Sequence, residues 1–304
     1  MPSPSELKSR MVSITETKKV TDAMYMISSV KMRRAKREHQ NSEKYYDSLA
    51  TQISELLCYI GESKSRYFHT DRVAGQKHQR RGILLVSSDK GLVGSYNQTA
   101  IKMTEEYMSR HPETVLFIIG EYARQYFKSK KIPFETDFHY SAAFPTILEA
   151  EKICIDLLDY FNKGKLDEIS MIYTDYMGAK PSLCNRKILL PLDRSTFFKK
   201  EEAAEKTSFK EFSPDADTVL KGIVPSYLTG FIYSSLVDSY CSEQQARMMA
   251  MSTASKNAED MLKKLKTQYN ALRQAKITNE MIEITSGANA LKSKHSVTEV
   301  LENE

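Results

Sequence analysis

Two stretches of the chain carry residue types and spacings that could do chemistry. The first is Ser87–Asn97, SSDKGLVGSYN, which follows an apolar run and holds two glycines beside Asp89 and Lys90. A phosphate cradle needs a glycine-rich turn that presents backbone N–H groups at a helix start, usually with a Lys. Gly91 and Gly94 stand at the wrong spacing for the dinucleotide fingerprint, and no GK[ST] follows. The run therefore reads as a structural strand-to-helix turn, with Asp89 capping it and the glycines allowing a tight approach. The second stretch is Ile277–Leu291, ITNEMIEITSGANAL, where Glu280 and Glu283 are the charged residues and no basic residue falls. At 100° per residue Glu280, Glu283 and Gly287 lie along one flank of an apolar stripe, and Gln274, Thr278 and Thr285 along the other. Carboxylates so placed can bond to donors on a surrounding protein.

The remaining reactive residue types do not assemble into a site. None of the six His sits in HExxH spacing, and Cys58, Cys154, Cys184 and Cys241 form no close pair. Nucleophile motifs are absent, so nothing provides a general acid, a base and an oxyanion site together. No metal or cofactor is expected, and a catalyst acting alone is not the reading. Net charge is +5 over 304 residues and is spread along the chain, which does not by itself imply nucleic acid. Its densest basic run is Lys31, Arg33, Arg34, Lys36 and Arg37. That run reads as a solvated helix face, as a docking surface for an acidic protein loop, or, third, as a contact for nucleic acid or a membrane surface. No apolar run is long enough to span a bilayer.

These residues must be positioned by long helices. From Ser226 to Leu291 there is no Pro and there are two Gly. Met248, Met251, Ser255, Ala258, Leu262, Leu265, Tyr269 and Leu272 recur at steps of three and four, the seam of a coiled coil. A step of five leads to Ile277, after which Met281, Ile284, Ala288 and Leu291 resume the seam, and such a phase change rotates the stripe. A helix this long needs a partner helix. Residues Ser5–Gly61 supply one, with a stripe at Tyr46, Leu49, Ile53, Leu56 and Ile60. Paired antiparallel, the two ends predict a rod about 70–90 Å long.

Between them the pattern turns to α/β. Gly82–Val86, Val115–Gly120, Ile169–Tyr173 and Lys187–Leu192 read as strands, with helices over Glu121–Lys130 and Ile147–Asn162. Ser195–Pro214 reads as a loop. The expected fold is α/β: a long antiparallel coiled coil of N- and C-terminal helices with an inserted Rossmann-like α/β domain. Its expected parts are a helix over 1–61, an α/β domain with flanking loops over 62–214, a helix over 215–291 and a polar tail over 292–304.

Thr278, Glu280, Glu283, Gly287 and Ala288, with the Ser242–Thr278 run, the Leu7–Lys36 run and SSDKGLVGSYN, resemble the γ subunits of F-type ATP synthases in three motifs, in order. The resemblance implies a non-catalytic central rotor stalk that couples ion-driven rotation of a membrane ring to conformational change in catalytic β subunits. It implies α, β and ε subunits and a ring of c subunits as partners. The place implied is peripheral, on the cytoplasmic face of a bacterial membrane, with no nucleic acid. By the same resemblance Met24 matches a position near a lever loop of β. Arg273, Gln274, Thr278, Glu280 and Glu283 match positions that bond to β or stabilise the coil opposite Met24. The basic run matches a segment passed by acidic loops. The chain departs from the pattern at Asp22, Val93, Ser95 and Ser213 and in its tail. Those departures keep open a γ-like rotor of a second F1-like ATPase with a different output. A free-standing coiled-coil adaptor would explain the heptads but not the three ordered motifs. The coupling ion, H⁺ or Na⁺, is not written in this chain.

Overall fold

The computed structural model describes residues 3–60, 65–68, 80–178, 180–193, 197 and 215–301; side chains at 39, 41–46, 58–60, 216–217 and 289–301 are not among those described. Its elements are α1 (Pro4–Ile60), β1 (Arg81–Val86), α2 (Tyr96–Arg110), β2 (Val115–Ile119), α3 (Glu121–Ser129), α4 (Ile147–Asn162), β3 (Glu168–Asp175), β4 (Leu183–Leu190) and α5 (Ala216–Leu301). The chain divides into two compact units. One is Met1–Tyr25 with Met251–Glu304, and the other is Met26–Ala250.

The larger unit is built on a four-stranded sheet in the order β2-β1-β3-β4, with β1 parallel to β2 and β3, and β4 antiparallel to β3. The strands β1, β2 and β3 read as nearly continuous apolar runs because both faces are covered. Side chains alternate across a strand, and the core divides accordingly. Ile83, Leu85, Leu116 and Ile118 pack against α2 and α3 through Ala100, Ile101, Ala123 and Phe127. Leu84, Val86, Phe117 and Ile119 face α4 and α5 through Ile153, Leu157, Leu220, Val224, Leu228 and Ile232.

Leu49, Ile53, Leu56 and Leu57 of α1 belong to that second cluster. The stripe taken from the sequence as a coil seam therefore also completes the core of the sheet domain. Ile147 and Leu148, apolar residues in the first turn of α4, are exposed. The last strand begins earlier than its apolar run suggests, at Leu183, because antiparallel pairing to β3 carries Asn185, Arg186 and Lys187 into the ladder. Helix α5 begins ten residues before Ser226 and accommodates Pro225, a residue tolerated only near a helix start or at a kink. The expected loop over Ser195–Pro214 lies outside the described residues except for buried Phe197. Of the tail at 292–304, α5 continues as helix to Leu301 and the rest lies outside the described residues.

In the smaller unit the two helices run antiparallel. Ser255 Oγ donates to Asp22 Oδ1, which fixes their register. Leu7, Thr21, Met251, Ala258 and Leu265 are buried there. Counting outward from that bond at equal rise, α1 runs out opposite about residue 273 of α5. Beyond that point Ile277, Met281 and Ile284 are 48%, 64% and 73% exposed. The change of seam phase after Leu272 thus coincides with the end of the covering helix.

Where β2 ends, Gly120 has φ +95, and a Cβ there would lie 2.4 Å from Ser87 O. Gly120→Ala is expected to lower the unfolding free energy of the chain by at least about 2 kcal/mol. Urea denaturation would detect the change as a lower midpoint at unchanged slope.

Candidate functional site

The loop after β1 is held by hydrogen bonds from four elements. Ser87 N and Oγ both donate to Ile119 O, at 2.9 and 3.0 Å. Ser88 N donates to Asn97 Oδ1 at 3.0 Å, and Asn97 Nδ2 to Ser88 Oγ at 2.7 Å, tying the loop to the first turn of α2. Asp89 does cap a helix, but it is α3: its Oδ1 accepts from Glu121 N at 3.1 Å and from Ala142 N at 3.0 Å. A carboxylate at that helix start satisfies orphan N–H groups that a bound anion would otherwise need. Gly94 has φ +57 and needs a glycine's freedom, whereas a Cβ on Gly91 would meet only ordinary contact.

The C-terminal ends of β1 and β3 are where a doubly wound sheet usually opens a ligand crevice. Here α5 fills it. Ser239 Oγ accepts from Thr174 N at 3.2 Å, and Ser242 Oγ donates to Thr174 O at 3.3 Å. Arg247 Nη1 lies 2.6 Å from Glu243 Oε1, with the two side chains 11% and 8% exposed. Arg247 Nη2 reaches Lys90 O at 3.5 Å and Gly91 O at 3.4 Å. Burial pushes the Glu243 carboxyl up, and nearby Asp89 adds to this, while Arg247 and Lys31 oppose it. The space left, lined by Ser87, Tyr96, Ser141, Ser239 and Glu243, holds about 10 Å³, room for about one water molecule. The loop is therefore a structural clasp: Ser87, Ser88, the Asp89 carboxylate and the Lys90 and Gly91 carbonyls are all bonded within the protein.

The network around Glu243 and Arg247 was not visible in the sequence. Their i, i+4 spacing is ordinary for a helix surface, and only the sheet beneath shows that the pair is buried. Cys154, Cys184 and Cys241 are buried as well. Burial pushes Cys154 and Cys184 up to about 11 and Cys241 up to about 12, so the thiolate is scarce at neutral pH.

The other candidate residues fall into two groups. Lys31, Arg33, Arg34, Lys36 and Arg37 lie on α1 in the larger unit, exposed around buried Ala35. Arg34 lies 4.1 Å from the centroid of the Phe144 ring. In the smaller unit Met24 is half-buried, while Arg273, Gln274, Thr278, Glu280, Glu283 and Ala288 are exposed. Glu280 pairs with Lys276 at 3.6 Å, one turn back, and Thr278 Oγ1 donates to Gln274 O at 2.9 Å. A Cβ on Gly287 would meet nothing within 4 Å. The register puts Met24 opposite about residue 253, so it lies about 40 Å along α5 from Thr278–Glu283. The structure does not bring Met24 together with that set.

Asp22 sits at the covered part of this coil. The hydrogen bond from Ser255, then the one from Lys18, hold its carboxyl below the ordinary 3.8. A lowered folded-state value contributes stability above the unfolded value, and that contribution is lost as pH falls through the folded one. Asp22→Asn is expected to flatten the fall in melting temperature between about pH 5 and pH 2. Circular-dichroism melts across that range, with Ser255→Ala showing a partial flattening, check it.

The ATP synthase family model matches residues 3–291. The chain is 35% identical over 296 residues to the ATP synthase gamma chain of Acetivibrio thermocellus, covering 95% of this chain and 99% of that one. It is 39% identical over 287 residues to the ATP synthase gamma chain of Caldanaerobacter subterraneus subsp. tengcongensis, covering 92% and 97%. Among solved structures, a chain from the central stalk and c-ring of the Tetrahymena thermophila mitochondrial ATP synthase has the same fold. The TM-score is 0.58 at 20% identity, over 78% of this chain and 99% of that one. With a family match over nearly its whole length and relatives at this identity, the chain belongs to the ATP synthase gamma-chain family.

Proposed function

We propose that the chain is the central-stalk γ subunit of an F1Fo ATP synthase, a non-catalytic rotor that couples ion-driven rotation of the membrane ring to the catalytic β subunits. The observation that carries this reading is the uncovered end of α5. Ile277, Met281, Ile282 and Ile284 are exposed on a segment that α1 does not reach. Exposed apolar stripes of this kind mark contact surfaces. A sleeve formed by α and β subunits is the partner that suits it, with Arg273, Gln274, Thr278, Glu280 and Glu283 offering the polar contacts. The α/β domain is the part that meets the ε subunit and the ring of c subunits. No described helix is long and apolar enough to cross a membrane; as a central-stalk subunit the chain would lie peripherally, on the cytoplasmic face of a bacterial membrane. The crevice after β1 agrees with the non-catalytic reading, because α5 fills it and the Asp89 carboxylate occupies the start of α3 where an anion would sit.

The test is co-purification of the tagged chain from detergent-solubilised membranes of its native host. Recovery of α, β, ε and c subunits together is expected. Recovery of α- and β-like chains without a ring would overturn the ion-coupled reading. Met24→Lys is a second test: a long charged side chain on a half-buried surface that offers only weak contacts would bind one rotor angle too well. Ion transport per ATP in reconstituted vesicles is expected to fall by at least about fivefold, while ATP turnover persists. An unchanged ratio would remove Met24 from the contact set.

A further inference from the structure

Helix α5 meets the α/β domain through two kinds of contact. From Leu220 to Leu236 it presents an apolar stripe to the sheet and to α4. Dispersion and burial are non-directional, so such a stripe resists separation more than it resists rolling. From Ser239 to Arg247 the contacts become polar and directional. Thr174 at the end of β3 is bonded on both sides, by Ser239 and Ser242. Gln245 Nε2 donates to Gly178 O at 3.1 Å. Arg247 reaches the furthest, forking from buried Glu243 onto the carbonyls of Lys90 and Gly91.

The loop that Arg247 grips is itself rigid. Asp89 fastens it to α3 and to Ala142, and Ser88 fastens it to α2. A guanidinium at the end of its side chain stands about 5–6 Å from the helix axis, so a bond there opposes rotation with a lever arm. Its fork makes the contact geometric as well as electrostatic. Glu243 holds the fork in place, since a buried guanidinium without its carboxylate would be left unpaired.

We infer that the Arg247–Glu243 pair fixes the rotational setting of α5 on the α/β domain and passes turning force between the loop after β1 and that helix. Arg247 is thus a positioning residue for rotary coupling, touching neither nucleotide nor ion. This inference rests on the rotor reading above. Loss of the grip lets α5 roll on its apolar stripe under load, so nucleotide turnover and ion movement slip relative to each other.

The experiment uses the whole complex, reconstituted in vesicles, with ATP hydrolysis and ATP-driven ion uptake measured on the same preparation. Arg247→Ala is expected to keep hydrolysis within about twofold and to lower ions moved per ATP by at least about fivefold. Arg247→Lys, which keeps the charge toward Glu243 but loses the fork, is expected to fall between. If Arg247→Ala does not assemble, Arg247→Lys decides on the same ratio. Arg186→Ala is the control for general loosening. Arg186 bonds Ser170 at 2.9 Å and faces Glu168 at 3.6 Å within the sheet, and its loss is expected to leave the ratio unchanged. An unchanged ratio in Arg247→Ala, or an equal fall in Arg186→Ala, would overturn the inference while leaving the rotor reading intact. A wild-type complex that hydrolyses ATP without moving ions would overturn both.

Discussion

The structure of the larger unit depends on one constraint: α5 must be held against the open end of a parallel sheet. Parallel strands bury both faces, so each face needs a helical layer. On one face α2 and α3 suffice. On the other, α4 covers part, and the remainder is taken by α5 with the end of α1. The sheet domain therefore has no complete core without the two terminal helices. Ser54 Oγ donating to Phe197 O, 143 residues away, shows how far apart in sequence the joined parts are.

The same constraint accounts for the silence of the crevice. Doubly wound sheets bind ligands at the C-terminal ends of their strands because loops there leave N–H groups and helix starts free. In this chain Asp89 occupies the start of α3, and Arg247 occupies the carbonyls of the loop. The fold offers a crevice there and the particular residues fill it, which is the sense in which fold alone does not give function. A glycine-rich turn is a weak signal for this reason: what matters is whether its backbone groups are left without partners.

Much of this was legible from periodicity. The terminal helices and the apolar strands follow from local patterns. The coil seam from Met248 to Leu272 was readable, and so was its break before Ile277. What escaped was set by distant residues. Leu49, Ile53 and Leu56 look like a coil stripe, and nothing nearby says that a sheet will share it. The early start of β4 escaped because Asn185 and Arg186 interrupt the apolar pattern and are held in the strand by pairing with β3. The burial of Glu243 and Arg247 escaped because charge at i, i+4 is the usual mark of a solvated face.

The far end of α5 poses the opposite problem, since its apolar stripe is legible in the sequence and lies uncovered in the structure. An apolar side chain left in water forgoes roughly 1.5–3 kcal/mol of burial. The stripe through Ile277, Met281 and Ile284 therefore carries free energy that only a partner can release. A surface that turned freely against that partner could not release all of it at one angle. The flanks suit such a balance: Glu280 is already paired with Lys276, and the Thr278 and Thr285 hydroxyls donate to backbone carbonyls of Gln274 and Met281. Polar groups satisfied within the helix gain little from any single partner position. The apolar stripe then supplies a non-directional attraction, and specificity of angle must come from elsewhere. Within the larger unit it comes from directional bonds such as those of Arg247, so that one chain grips firmly at one place and lightly at another.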